Sequence, residues 1–163
     1  MITIGRIKIQ TMISIIERES ILNSLNRLES TDKPVFGAMT PQHMVEHLAF
    51  TVAFSNGTIQ QDLAYPPKIA EKVKQSLLYQ GADIPIGFKS PILPKEGLPE
   101  LRFEDLKAAL EDLKTQLDVF DHYFGDSPNA QPINPTMGKL NYEEWLKFHN
   151  KHFAHHFKQF DLL

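Results

Sequence analysis

Apolar residues recur at three- and four-residue steps in four long segments of the chain. Such steps place side chains on one face of an α-helix. The segments cover about residues 13–28, 41–55, 103–123 and 141–160, and a shorter one covers about 67–79. Amphipathic helices that follow one another bury their apolar faces together. The sequence therefore predicts an all-α fold, an antiparallel up-down-up-down four-helix bundle with one extra short helix and long loops.

Local signals place the ends of two of these helices. Thr40-Pro41 pairs a capping hydroxyl with a proline at the first helical position, and Asn56-Gly57 ends the same helix. Asn141, followed three residues later by Glu144, is a variant of the capping box and begins the last helix.

The length of 163 residues suits one domain, which we place at residues 12–163. Residues 1–11 carry an alternating pattern that is typical of a short β segment, although an untethered tail explains it equally well. An unpaired apolar edge tends to find a partner. We therefore expect a homodimer, on the basis of Ile2, Ile4, Ile7 and Ile9.

The composition excludes several classes of function. Seventeen basic and twenty acidic residues leave a net charge of -3, with no basic stripe, so we expect no nucleic-acid partner. No apolar run reaches membrane-spanning length and no signal peptide is recognisable, which favours a cytoplasmic protein without a membrane partner. The chain has no cysteine, so any metal ligands must be nitrogen or oxygen.

Four of the seven histidines lie within eight residues of the last helix. His149, His152 and His156 share one stripe with Trp145, the only tryptophan, and that stripe is expected to face the core. Buried imidazoles need partners for their ring nitrogens, and a metal ion supplies one directly. His152 and His156 have the i, i+4 spacing that lets two imidazoles share an ion.

The second long helix offers a matching pair, His43 and His47, also at i, i+4. In a bundle this helix and the last one can both turn such residues toward a shared interior. A three-histidine site with open positions is then straightforward to build. Glu46 is almost the only carboxylate near the histidines, which argues against a carboxylate-bridged di-iron centre.

The remaining histidines have more ordinary interpretations. His122, beside an aspartate near a helix end, suits a surface position. His155 lies off the stripe and suits a solvated position or one that supports a ligand. For His149 a ligand and a hydrogen-bonded neighbour are equally open, and it is also the best candidate for a general base. The last helix lacks the glutamate of H-E-x-x-H metalloproteases.

Two stretches of sequence carry a resemblance to a known family. They are TPQHMVEHLAF around His47 and NPTMGKLNYEEWLKFHNKHFAHHFKQF, from Asn134 to Phe160. Together they resemble the DinB-like (YfiT-like) superfamily of metal-binding four-helix bundles, in a branch of unknown function. Two positions depart from the family pattern: Phe50 replaces a frequent acidic residue, and Asn134 replaces a frequent histidine before proline.

The resemblance implies a metal site formed by His47, His152 and His156. It also implies an activity of the kind found in that superfamily. These activities are metal-dependent thiol transfer or isomerisation with low-molecular-weight thiols, and hydrolysis. We expect zinc or nickel as the metal. The residues proposed to line the substrate pocket are His43, Phe50, Asn134 and Trp145, with the long loops at 80–100 and 124–140 as further walls.

Two hypotheses of function remain open from sequence. The first is a metal-dependent enzyme, a thiol transferase or hydrolase, that acts on a small molecule. A low-molecular-weight thiol is one candidate for that molecule. The second is a non-catalytic bundle protein with a structural metal or with no metal. The number of protein ligands distinguishes them, because structural zinc sites are usually saturated by four protein side chains.

Overall fold

The structure, a computed structural model, describes residues 12–163, so the tail or short β segment expected at residues 1–11 lies outside the described part. Five α-helices dominate it, and two short strands pair antiparallel between the last two helices. The elements in chain order are α1 (Arg18–Leu25), α2 (Pro41–Ser55), α3 (Pro67–Lys74), which continues as a π-helical turn (Gln75–Tyr79), α4 (Leu106–Asp126), β1 (Ile133–Asn134), β2 (Gly138–Lys139) and α5 (Tyr142–Gln159).

The predicted caps are confirmed for α2 and α5, the two helices that carry the histidine cluster. The Thr40 hydroxyl accepts a hydrogen bond from the His43 backbone N–H. Asn141 and Glu144 form a complete capping box, each side chain accepting from the other's backbone N–H. These caps satisfy backbone donors that a helix start otherwise leaves free. They also fix where each helix begins, and hence which side chains face the core.

The first helix is shorter than the predicted span of 13–28. The residues that precede this helix are hydrogen-bonded to α5: the Ile15 backbone N–H donates to Asn150 Oδ1 at 2.8 Å. Turns therefore replace helix before Arg18. The sequence predicted a loop at residues 124–140, where the structure also has the strands β1 and β2. Strands of two residues are too short to show a periodic pattern in the sequence.

The hydrophobic core lies between α2, α4 and α5. Helix α2 packs along α4 and also contacts α5. The predicted apolar face of α4 supplies Leu113, Leu117 and Phe120, all fully or almost fully buried. Helix α2 is apolar on several sides, as suits a helix covered by neighbours. Its buried residues include Met44, Val45, Leu48, Ala49, Val52 and Phe54.

The long loop before α4 is tied at both of its ends to the helices that carry the histidines. In the loop before α4, the backbone N–H groups of Arg102 and Phe103 donate to the Glu46 carboxylate at 2.7 and 3.2 Å. At the start of that loop, Lys151 Nζ of α5 donates to the Ala82 carbonyl at 2.8 Å. The segment between these two attachments therefore lies over the space beside α2 and α5. Among the described helices, none combines the length and apolar character needed to cross a membrane.

Candidate metal centre

Three histidines from two helices meet at one point in the structure. His47 of α2 and His152 of α5 approach with their Nε2 atoms 2.9 Å apart, and Nε2 of His156 lies 3.2 Å from that of His152. One ring nitrogen from each of the three lies within 4.8 Å of the other two. His152 and His156 are buried and His47 is partly exposed. The i, i+4 pair thus meets a single partner from α2.

The orientation of His156 is fixed by a glutamine one turn further along α5. Gln159 Nε2 donates to the Phe36 carbonyl at 3.1 Å, which leaves its Oε1 to accept from Nδ1 of His156 at 2.7 Å. A proton on Nδ1 of a neutral imidazole leaves a lone pair on Nε2. His156 therefore presents that lone pair to the other two rings. The His152 ring is held differently, by stacking on Phe148 at 5.2 Å between centroids.

All three imidazoles are held in the neutral form near pH 7. Burial is the main cause, because removal from water disfavours the charged ring. It lowers the pKa of His47 to about 4, with a further contribution from His155. For His152 and His156 burial, followed by repulsion from the neighbouring cluster histidines, places the pKa well below its usual value. Neutral imidazole is the form that ligates a metal.

These residues fit a divalent transition metal. Three neutral rings directed at one another cannot satisfy every converging nitrogen with the available protons, whereas one cation accepts all the lone pairs. Two imidazoles on one ion, with bonds of about 2.0–2.1 Å at the tetrahedral angle, have nitrogens about 3.3 Å apart. Two of the three separations, 2.9 and 3.2 Å, are close to that value, and all three are within 4.8 Å. Imidazole ligands suit zinc and nickel.

The cluster forms part of the wall of a cavity of about 470 Å³. This volume lies within the range of small-molecule sites. Most of the lining is apolar and comes from α2, the region around α3, the loop after residue 80 and α5. Asn134, one of the predicted pocket residues, is on this wall. Other lining residues include Met39, Thr51, Phe54, Phe88, Ile92 and Phe148.

His47 also borders a second, smaller cavity of about 230 Å³, which holds two more of the predicted pocket residues. His43 lies there with both ring nitrogens in use: Nδ1 is 2.7 Å from the Thr40 hydroxyl and Nε2 is 3.1 Å from the Pro99 carbonyl. It therefore supports the loop and is not grouped with the cluster. Phe50 lies there too, under the guanidinium of Arg102 at 5.5 Å.

Two residues predicted for the site lie in the core instead. Trp145 and His149 are fully buried and stacked on each other, and neither lines the two cavities. The indole N–H donates to the Pro132 carbonyl at 3.2 Å. His149 Nε2 pairs with the Ser55 hydroxyl at 2.8 Å, and burial lowers the pKa of His149 to about 3. A general base must reach its substrate, so His149 does not fit that role, and the hydrogen-bonded alternative fits instead.

The other histidines occupy the positions that their sequence context suggested. His155 lines the large cavity beside the cluster without joining it, and its ring packs near Phe36. His122 is exposed and its Nδ1 lies 2.7 Å from the Asp118 carbonyl.

Sequence reasoning missed Gln159 and Phe148, which orient two of the three cluster rings. Each has a signal in the sequence. Gln159 is three residues after His156, and Phe148 is four residues before His152, and both spacings bring side chains together on a helix.

The chain matches no protein-family model, no curated protein and no solved structure.

Proposed function

We propose that this protein is a metal-dependent enzyme, a thiol transferase or hydrolase, that acts on a small molecule in the 470 Å³ cavity. His47, His152 and His156 would hold zinc or nickel. The observation that carries the proposal is the meeting of three neutral imidazoles on the wall of a cavity of substrate size. When bound, such an ion supplies Lewis-acid chemistry, lowering the pKa of a thiol or a water molecule so that it becomes a nucleophile near neutral pH.

The number of ligands favours a catalytic site over a structural one. Within residues 12–163 the group contains three possible ligands, and no fourth histidine or carboxylate joins it. Structural zinc sites are usually closed by four protein ligands, whereas catalytic sites keep a position for water or substrate. The cavity supports the same conclusion, since it provides space for that position.

The surrounding residues would prepare the site in three ways. Gln159 holds the tautomer of His156, as the partners of metal-bound histidines commonly do. Phe148 holds the plane of the His152 ring. The apolar lining limits the water around the cluster, which strengthens electrostatic interactions inside.

The family and the assembly belong to the same proposal. We infer a DinB-like four-helix bundle, supported by the predominantly helical fold and by the three histidines at the positions that the resemblance implies. Helices α1, α2, α4 and α5 would be the four members. The proposed protein is cytoplasmic and homodimeric, and its co-substrate would be a low-molecular-weight thiol if the reaction is a transfer.

Metal analysis of the untagged protein tests the proposal directly. We expect about one zinc or nickel ion per chain. His152→Ala and His156→Ala should each abolish stoichiometric binding, because two imidazoles rarely hold an ion as three do. His155→Ala is the matched control, since this histidine is adjacent to His156 but outside the cluster, and it should retain the metal.

Two results would contradict the assignment. Full metal retention in His152→Ala or His156→Ala would show that the ion binds elsewhere. A metal-bearing protein that is inactive in both thiol-transfer and ester- or amide-hydrolysis screens would favour the structural alternative.

A further inference from the structure

The side-chain amide of a buried asparagine on the cavity wall is hydrogen-bonded through its oxygen, whereas its nitrogen has no protein partner among the described residues. Asn134, at the end of β1, is only 2% exposed. Its Oδ1 accepts from the backbone N–H of Thr136 at 2.9 Å and from the hydroxyl of Thr136 at 3.0 Å. Both partners are donors, so the oxygen and the nitrogen of the amide are distinguished by their contacts. Nδ2 is therefore on the opposite side from Thr136.

Among residues 12–163, Asn134 Nδ2 forms no side-chain hydrogen bond, and it is not one of the unpaired polar atoms that are closed off from solvent, so it is open to the cavity. A ligand that covers this amide must supply an acceptor, because a buried amide without a partner keeps the cost of leaving water. Asn134 lines the same cavity as His47, His152 and His156. A ligand in this cavity can thus supply the missing acceptor.

The rest of the lining restricts the chemistry of such a ligand. The large cavity is mainly apolar, with phenyl, isopropyl and proline groups around it. Apart from the histidines, the charged side chains described on its wall are Lys72 and Asp83, and both are exposed. Among the described residues that line this cavity, no buried cation lies beside Asn134 to pair with a ligand carboxylate. A neutral oxygen on an apolar body suits this wall best.

We propose that Asn134 is a substrate-binding residue whose Nδ2 donates to the carbonyl oxygen of an apolar ketone, ester or amide in the large cavity. The inference rests on the proposed function in taking this cavity as the substrate site. The carbonyl would be held in the cavity that the histidine cluster also lines, between the Asn134 amide and the apolar walls. Thr136 acts through Asn134 by fixing which way the amide faces.

The test compares two probes that share an aromatic ring and a two-carbon chain, acetophenone and ethylbenzene, of which only the first has an oxygen. Binding to the full-length protein is measured as purified and again in EDTA, so that a carbonyl–metal contact cannot create the preference. We expect acetophenone to bind about fivefold to tenfold more tightly in both conditions, which is the effect of one buried hydrogen bond.

Asn134→Asp should remove this preference at pH 8. The aspartate retains the acceptor for Thr136 and hence the turn, but it has no amide donor to offer. Ser90→Ala removes a hydroxyl elsewhere on the same wall and should keep the preference. In the wild-type protein, the side-chain amide ¹⁵N signal of Asn134 should shift with acetophenone and not with ethylbenzene, a measurement that does not depend on how well a variant folds.

Equal binding of the two probes to the wild-type protein would overturn the inference, and so would a preference that survives in Asn134→Asp. Metal content is measured in the same samples. A protein without metal that still prefers acetophenone would refute the proposed metal chemistry while supporting the role of Asn134. A metal-bearing protein without the preference would refute only the role of Asn134.

Discussion

Acidification should destabilise the fold through His149, and replacement of this residue should remove a defined part of the effect. His149 is fully exposed to water only in the unfolded chain, where its pKa is about 6.5. In the fold, burial lowers that pKa to about 3, with the nearby Arg18 as a second cause. Protonation would add an N–H at Nδ1, which has no hydrogen-bond partner among the described residues.

The sign and size of the effect follow from these two pKa values. Between about pH 6.5 and pH 3 the unfolded chain binds a proton at His149 that the folded chain does not. The free energy of unfolding is therefore not reduced by His149 above about pH 6.5, and it falls as the pH decreases through this window. Each pH unit costs about 1.4 kcal/mol. At about pH 5 the His149 contribution to the loss is then about 2 kcal/mol.

His149→Gln is the appropriate perturbation, because glutamine can still donate to the Ser55 hydroxyl but does not titrate. Urea unfolding, followed by circular dichroism in EDTA, gives the free energy of unfolding at pH 7.5 and pH 5.0. The cost of the substitution itself cancels, because each protein is compared with itself at the two pH values. The wild-type protein should lose about 2 kcal/mol more than the variant. Equal losses in the two proteins would refute the reasoning.

Two further predictions concern the metal and the assembly. Gln159→Leu should weaken zinc binding at least about tenfold, because His156 loses the acceptor for its Nδ1 proton. Gln159→Glu retains an acceptor and should bind zinc nearly as the wild type does. Equal zinc affinities of the two variants in titrations would exclude this role of Gln159. Light scattering should give twice the monomer mass of 18.6 kDa for the full-length chain. A version that begins at Met12 should be monomeric if residues 1–11 form the contact, and a monomeric full-length chain at tens of micromolar would exclude the dimer.

The sequence predicted the features that depend on neighbours along the chain. The caps at Thr40 and Asn141 need only residues within one helical turn, and both are present. The i, i+4 spacing pointed to His152 and His156 with a partner from α2, and the family resemblance identified that partner as His47. Helical periodicity and a few local motifs thus predict that the chain is mostly helical and where two of its helices begin.

Features that depend on distant partners could not be predicted. His43 has the same spacing to His47 as His152 has to His156, yet the Pro99 carbonyl, far along the chain, occupies its Nε2. His149 is on the same stripe as the cluster, yet it pairs with Ser55 of α2. Sequence spacing identifies which face of a helix a residue occupies, but the residue opposite that face decides its role.

The long loop is attached to the helices at Ala82 and at Arg102. The segment between these attachments shapes the cavity, whereas the cluster lies on α2 and α5. The intervening residues contribute apolar wall, such as Phe88 and Ile92, but no member of the cluster. Mutations there can remodel the cavity while the helices and the three histidines stay as they are. Selection, in nature or in the laboratory, can therefore change which molecules enter without rebuilding the centre, and this segment is the natural target for a library of variants.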